Sequence, residues 1–263
     1  IMIISESIST PSGFGMQTKM LAEGFVEAGH SVCVLSNTAN PRKSNPEGLT
    51  EWVVPDIENR DILDRAIHQH APDAVIVFWY THMVSYMAGL RSAPANCPMF
   101  FWFPWEGSTV PADGKNLFFE MPPNRVAHLS EFARDLWSDV IDSDVVIPHG
   151  VDSNVFKPVA KSRKELLREW AVRLRFPLFE DAIIVLSMER NIRHKRWDAT
   201  FDFVRRLSEK TGRTVQLIAH TKKVVKGAPN VLPGFDLPKL EEAYGLSNHV
   251  AYTDFDWSRG FTQ

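Results

Sequence analysis

Short apolar runs alternate with stretches of helical periodicity from the start of the chain. Residues 2–5 form a largely apolar run, and after a polar loop apolar residues recur every three or four positions from about Gly15 to Ala28. Gly29 follows at the place of a helix C-cap, and residues 32–35 form a second apolar run. The pattern predicts a strand, a glycine-containing loop, a helix and a second strand.

The same alternation continues to residue 147. The run at 73–79 is almost wholly apolar, which is typical of a strand buried on both faces of a parallel sheet. The other predicted strands are 51–54, 99–103, 125–129 and 145–147, and the predicted helices are 57–70, 83–90 and 131–140. Residues 1–155 are therefore predicted to form a complete Rossmann-like domain.

A second series of the same kind follows. Helices are predicted at 161–175, 197–211 and 238–244, and strands at 183–187, 214–219 and 250–252. The residues predicted to face inward from the first of these helices are Leu166, Leu167, Trp170 and Leu174. Three strands are fewer than a doubly wound sheet usually has. The predicted fold class is α/β with two Rossmann-like domains, 1–155 and 156–263, the second incomplete.

Composition narrows the function classes. Of the 263 residues, 44% are hydrophobic and 23% are charged, as in an ordinary globular protein. The net charge of -3 argues against a general nucleic-acid or anionic-membrane binder, although it leaves room for a local basic site. Cys33 and Cys97 match no metal-binding spacing and are interpreted as reduced core thiols. Reduced thiols of this kind are typical of a cytoplasmic protein, which is the predicted location. No apolar run approaches the length of a membrane span.

The loop before the first helix is a candidate ligand site. Gly13 and Gly15 would let the backbone approach a ligand, and the helix N-terminus beyond them offers free N–H groups to an anion. The loop lacks the G-x-G-x-x-G pattern, and Ser36 and Asn37 stand where a dinucleotide site has an acidic residue. Nicotinamide dinucleotides are therefore disfavoured. A tight turn before a helix would explain the glycines equally well.

A basic loop follows the first strand of the second series. Within residues 187–196 there are five cationic or titratable basic side chains: Arg190, Arg193, His194, Lys195 and Arg196. Arginine offers a planar fork to phosphate oxygens and lysine a compact charge, so the loop predicts a diphosphate site. Arg190 and Lys195 are the leading pair. The alternative is an exposed basic turn.

The segment 145–158 separates the two series and is called the hinge segment here. Gly150 would permit a sharp reversal, and Asp152 could cap the following turn. His149 is a candidate for ligand contact, and equally for a hydrogen bond to the backbone.

Aromatic residues mark the ends of two predicted strands. Trp79, Tyr80 and Trp105 lie where a cleft would be, and both sugars and bases stack on aromatic faces. His82 and Glu106 follow these clusters and are candidate acid–base groups, with a structural role as the alternative.

Two D-x-D triplets occur, at 142–144 and 254–256. Metal-dependent sugar transferases use such pairs, but the first lies between a helix and a strand and the second follows the last strand. No metal is expected.

Taken in order, these motifs resemble the retaining family 4 glycosyltransferases, which have the GT-B fold. The hinge sequence from 146 to 158 is similar to the interdomain signature of that family, and residues 12–17 are similar to its first loop and helix. Arg190 with Lys195 five positions later resembles the donor-diphosphate motif G-R-x-x-x-x-K, and Ser130 matches a serine that starts the helix before the hinge.

The resemblance implies transfer of a sugar from a nucleotide-sugar donor held by the second domain to an acceptor held by the first. Arg190 and Lys195 would neutralise the leaving diphosphate without a metal or other cofactor. Acid–base or charge-stabilising roles would fall to Arg190, Lys195, His82 and Glu106. The donor-binding residues would be Gly13, Phe14, Gly15, His149, Gly150, Arg190 and Lys195. The acceptor is open: a glycan, a lipid, a small molecule or a modified base.

The sequence departs from the family pattern in two places. Glu189 stands where the family generally has glycine, and the downstream E-x7-E element is absent because the chain ends first. The chain is therefore expected to be C-terminally truncated and poorly active alone. The alternatives are another GT-B enzyme, such as a nucleotide-sugar epimerase, or a degenerate GT-B binding or scaffold module. A phosphorylase would need a cofactor lysine site, and none is recognisable.

Overall fold

The computed structural model describes residues 1–37, 47–57, 59–80, 97–105, 107–110, 126–227 and 233–253. The chain divides into two compact units, Ile1–Phe156 and Lys157–Gln263, called unit 1 and unit 2 below. No helix among the described residues is long and apolar enough to cross a membrane.

Among its described residues, unit 1 contains a six-stranded parallel sheet in the order β3-β2-β1-β4-β5-β6. Its strands are β1 Met2–Ile4, β2 Val32–Ser36, β3 Leu49–Val53, β4 Val75–Phe78, β5 Met99–Phe103 and β6 Val126–His128. Its described helices are α1 Gly13–Glu27, α2 Arg60–His70 and α3 Glu131–Trp137. The strand order reverses between β1 and β4, and ligands bind at the carboxyl ends of strands beside such a switch point.

Alternate residues of β1 pack into two different cores. Met2 and Ile4 belong to a core that also contains Leu63 of α2, whereas Ile3 packs in a second core with Ala22 of α1. All five side chains are fully buried. Since successive side chains of a strand point to opposite faces, β1 must be apolar at every position to be covered on both sides.

The predicted strand at 145–147 is wrong. Val146 forms only an isolated bridge to His128, and the side chains of Val145 and Ile147 are about half exposed. An apolar run forms a strand only where a neighbour offers a continuous ladder, and β6 is three residues long. The predicted helix at 131–140 ends earlier, at Trp137, whose carbonyl accepts hydrogen bonds from two later residues in a turn. The predicted helix at 83–90 lies outside the described residues.

Unit 2 contains a three-stranded parallel sheet among its described residues. The strands are β7 Ile183–Met188, β8 Val215–His220 and β9 Val250–Tyr252, in that order. The helices are α4 Arg163–Leu174, α5 Trp197–Thr211 and α6 Leu237–Ala243. The core lies between α5 and β8, where Trp197, Phe201 and Leu217 are fully buried. The two parallel sheets confirm the predicted α/β class.

Helix α4 departs from its predicted packing. None of its residues is buried, and Trp170, which the periodicity assigns to the inner face, is 41% exposed. The guanidinium of Arg173 lies 5.9 Å from the Trp170 ring centroid. A capping box between Ser162 and Glu165 stabilises the start of the helix instead. Periodicity identifies an apolar face, but it does not supply an element that covers that face.

Candidate functional site

The β1–α1 loop shows why one of its two glycines is needed. A Cβ atom on Gly15 would lie 2.8 Å from the carbonyl oxygen of Ser7 and closer still to that of Thr10. Gly13 differs, because a Cβ atom there would meet no atom within 4 Å. Gly15 is therefore required by the protein's own loop. Gly13 has open space above it.

A carboxylate lies at the start of α1. The Ser12 hydroxyl accepts a hydrogen bond from the Gly15 backbone N–H at 2.9 Å and donates one to the Glu6 carboxylate. Negative charge is favourable at a helix N-terminus, so Glu6 partly satisfies the helix dipole to which an anionic ligand is predicted to bind. The only signal for Glu6 in the sequence is an acidic residue two positions after the first strand.

Phe14 is part of an aromatic cluster at the carboxyl edge of the unit 1 sheet. Its ring centroid lies 4.8 Å from that of Phe78, 5.4 Å from that of Trp79 and 4.8 Å from that of Tyr80. Phe78 is fully buried, whereas Tyr80 is 47% exposed. The predicted role of Phe14 as a donor contact is not visible in these neighbours. Its ring supports Tyr80.

The side chain of one glutamine in α1 forms two hydrogen bonds with the backbone of the hinge segment. The Gln17 side-chain amide donates to the Gly150 carbonyl at 2.8 Å, and its oxygen accepts from the Gly150 N–H at 2.9 Å. A Cβ atom on Gly150 would lie 3.1 Å from the Met20 methyl carbon, so glycine permits this close approach. Sequence reasoning missed Gln17, because a side-chain amide bonded to a distant backbone leaves no periodic pattern.

His149 is placed by aromatic neighbours. Its ring meets those of Phe78 and Trp102 edge-on, with centroid distances of 5.6 and 5.4 Å. The indole N–H of Trp102 donates to the Ile147 carbonyl at 2.8 Å and so fixes the preceding backbone. Partial burial against these rings lowers the pKa of His149, although the residue as a whole remains exposed. A neutral imidazole carries one donor and one acceptor.

The loop after β7 contains the basic residues of unit 2. Arg193–Lys195 forms a single 3-10 turn, and the Lys195 ammonium lies 3.3 Å from the Glu189 carboxylate. Arg196 pairs with Asp198 at 2.9 Å. Arg190 is exposed and has no carboxylate partner among the described residues. The cluster is thus less basic than its sequence indicates, because two of its cations already have an acidic neighbour.

Asn191 anchors this loop. The side chain is 2% exposed, and its amide donates to the carbonyls of Lys222 at 3.0 Å, Lys223 at 3.3 Å and Phe235 at 2.7 Å. Its oxygen accepts from the Phe235 N–H at 2.8 Å. Gly234 must lack a side chain here, since a Cβ atom would lie 2.7 Å from the Asn191 side-chain oxygen. These bonds fix the backbone beside Arg190.

Polar residues also end β8 and β9. The Thr253 hydroxyl lies 2.9 Å from Nδ1 of His220, and burial lowers the pKa of His220. The Lys223 ammonium lies 4.9 Å from the Tyr252 ring centroid. Parallel strands end at one edge of a sheet, so these groups and the β7 loop share the carboxyl edge of unit 2.

The remaining candidates are less fully placed. His82 and Glu106 lie outside the described residues, and so does the triplet at 254–256. In the part of the chain that the structure describes, no group of three His, Cys, Asp or Glu side chains could hold a metal ion.

Comparison with known proteins identifies the fold. No protein-family model matches the chain, and no curated protein matches it by sequence. Its structure is similar to that of WaaG, a glycosyltransferase involved in lipopolysaccharide biosynthesis, with a TM-score of 0.59 at 11% identity over 96% of this chain and 69% of that one. A UDP-GlcNAc 2-epimerase from Neisseria meningitidis, bound to UDP-GlcNAc, matches with a TM-score of 0.46 at 13% identity over 97% and 72% of the two chains. The similarity to WaaG shows that the chain has a GT-B fold.

Proposed function

We propose that the chain is a glycosyltransferase that takes a sugar from a nucleotide-sugar donor, and that the β7 loop of unit 2 binds the donor diphosphate. The observation that supports this most directly is the position of Arg190 and Lys195 on a loop at the carboxyl end of β7. Asn191 lies between them in the sequence, and its buried side chain fixes the backbone of that loop through hydrogen bonds. The GT-B fold is consistent with this use of the loop.

The ion pair between Lys195 and Glu189 is weak enough for Lys195 to leave Glu189 and bind a diphosphate instead. Both side chains are more than a third exposed, and pairs of that kind contribute only about 0–1 kcal/mol. A diphosphate has more negative charge than one carboxylate and accepts charge-assisted hydrogen bonds. Lys195 can therefore turn from Glu189 to the diphosphate at small cost. Arg190, already exposed, offers its planar fork to the same group.

Charge stabilisation at the leaving group is the chemistry that these cations supply. As the bond from the sugar to the diphosphate breaks, negative charge grows on the diphosphate oxygens, and nearby fixed cations lower the energy of that state. This arrangement needs no metal. Retention of configuration at the sugar is part of the proposal through the family resemblance alone. Acid–base roles for His82 and Glu106 stay predictions.

Calorimetry with UDP, GDP and ADP tests the diphosphate site. Arg190→Ala and Lys195→Ala are each expected to weaken binding by about 1–3 kcal/mol, the scale of a hydrogen bond to a charged group. Glu189→Gln is expected to tighten binding, because it removes the competing charge from Lys195. Lys164→Ala is the matched control: it breaks a 3.0 Å surface ion pair with Glu180 in the same unit.

Three outcomes would contradict the proposal. Unchanged affinity in both Arg190→Ala and Lys195→Ala would remove the β7 loop from the donor site. Mass spectrometry of products from a donor panel tests the reaction itself. An isomerised sugar nucleotide with no transferred sugar would identify an epimerase instead, and no nucleotide binding at all would favour a binding module.

A further inference from the structure

The small net charge of the chain conceals a large difference in formal charge between its two units. Unit 1 has 19 Asp and Glu against 9 Lys and Arg, whereas unit 2 has 20 Lys and Arg against 13 Asp and Glu. The formal charges are therefore -10 and +7. A field of one sign over a unit attracts ligands of the opposite sign and repels those of the same sign. Unit 2 suits an anionic ligand, and unit 1 opposes one.

An aromatic surface is exposed at the carboxyl edge of unit 1. We call it the Tyr80 shelf, and it consists of Tyr80, Phe14 and the rings behind them, Phe78 and Trp79. Tyr80 is 47% exposed, while Phe78 is fully buried and Trp79 is 8% exposed. Phe14 lies within 4.8–5.4 Å of the other three rings, measured between centroids. The exposed ring is thus held by a buried cluster.

The polar groups around this edge are suited to hydroxyls rather than to charges. Glu6 already accepts a hydrogen bond from the Ser12 hydroxyl in the loop that contains Phe14. His149 contacts Phe78 edge-on, and partial burial lowers its pKa, which favours the neutral imidazole. A carboxylate and a neutral imidazole together accept and donate hydrogen bonds without demanding a charged partner.

From these three observations we infer that the acceptor is a neutral carbohydrate, one sugar ring of which stacks on the Tyr80 shelf. A pyranose has a face of C–H groups for the aromatic ring and hydroxyls around its rim for Glu6 and His149. The charge of unit 1 disfavours nucleic acids, phosphorylated glycans and anionic lipid headgroups as acceptors. The inference rests on the proposed function, since it names the acceptor class of that reaction.

Binding to the full chain without any nucleotide tests the inference separately from the donor site. Saturation-transfer NMR titrations would use lactose, maltose and cellobiose as neutral probes, a glucuronate-containing disaccharide and a single-stranded DNA oligonucleotide as anionic probes, and adenosine as a free aromatic ring. Saturable binding is expected for at least one neutral sugar, with weaker or no binding of the other probes. Tighter binding of an anionic probe or of adenosine, or no saturable sugar binding, would overturn the inference.

Substitutions test whether the sugar binds at the Tyr80 shelf. Tyr80→Ala is expected to weaken sugar binding about three- to tenfold, as for loss of an aromatic contact, while Tyr80→Phe stays within about twofold. Phe132→Ala removes another exposed aromatic side chain of unit 1, 58% exposed, and is expected to change nothing. Equal binding by Tyr80→Ala and the wild type would also overturn the inference.

Failure of the inference and failure of the proposed function are distinguishable. Arg190→Ala should leave sugar binding unchanged, because the shelf belongs to unit 1. UDP binding without sugar binding would refute the acceptor class and leave the donor site standing. Sugar binding without any nucleotide binding would refute the transferase and leave a carbohydrate-binding protein.

Discussion

Replacing Asn191 should destabilise unit 2 and leave unit 1 unaffected. The Asn191→Ala change removes three well-formed hydrogen bonds, to the Lys222 carbonyl, the Phe235 carbonyl and the Phe235 N–H. At about 1 kcal/mol for each bond, the loss is roughly 3 kcal/mol, which is about a 150-fold change in the unfolding equilibrium. Asn191→Asp should cost at least as much, because it turns a carboxylate oxygen toward carbonyls that now accept from the amide.

Hydrogen exchange followed by mass spectrometry measures this loss within each unit. Backbone amides of β8, residues 215–220, should exchange faster in Asn191→Ala by the factor above, and amides of β1 and β2 should keep their wild-type protection. Asn154→Ala, in the exposed hinge segment, is the matched control. A loss below about 1 kcal/mol in β8, or an equal loss in both units, would refute the anchoring role.

Two further predictions concern unit 1. Gly15→Ala should lower the free energy of unfolding of unit 1 by about 1–3 kcal/mol in urea titrations, because its Cβ atom would press on the Ser7 carbonyl. Gly13→Ala should be neutral or slightly stabilising, because a Cβ atom there meets no other atom. Equal effects of the two changes would contradict this explanation. His128 is fully buried, and burial lowers its pKa, so the unfolded chain takes up a proton that the folded one refuses. The free energy of unfolding should therefore fall as the pH drops below about 6.5 toward the pKa of His128 in the folded chain. The His128→Gln change should make that fall less steep, whereas the control His68→Gln, at an exposed position, should not. If His128→Gln leaves the pH profile of unfolding unchanged, burial of His128 does not cause the pH dependence.

The elements that the sequence predicted well are those with a local cause. The apolar run at 73–79 contains β4, Val75–Phe78, because a strand covered on both faces needs apolar side chains at every position. The helix at 197–211 was predicted to the residue, with Gly212 in the left-handed conformation that ends it. Both signals lie within a few positions of the residues that they describe.

The errors and omissions have a non-local cause. Among the described residues, those at 145–147 form only an isolated bridge and Trp170 has no element that covers it. Periodicity did not predict either result, because it does not specify what lies opposite an apolar face. Asn191 acts on residues 31 to 44 positions away. The Glu6 carboxylate accepts a hydrogen bond from the Ser12 hydroxyl, a contact that depends on the shape of the folded loop. For the site itself, the sequence indicated Arg190 and Lys195 as a pair, but it did not indicate how far Glu189 neutralises one of them.

The bonds between Gln17 and Gly150 have a consequence for the order in which the chain folds during synthesis. They join residues 133 positions apart, and at 5–20 residues per second the ribosome needs about 7 to 27 s to make the intervening chain. During that interval the Gln17 side chain has been synthesised, but the backbone of Gly150 that it bonds has not. The contact between α1 and the hinge segment therefore forms only after residues 1–150 have been made, however early the other elements of unit 1 fold.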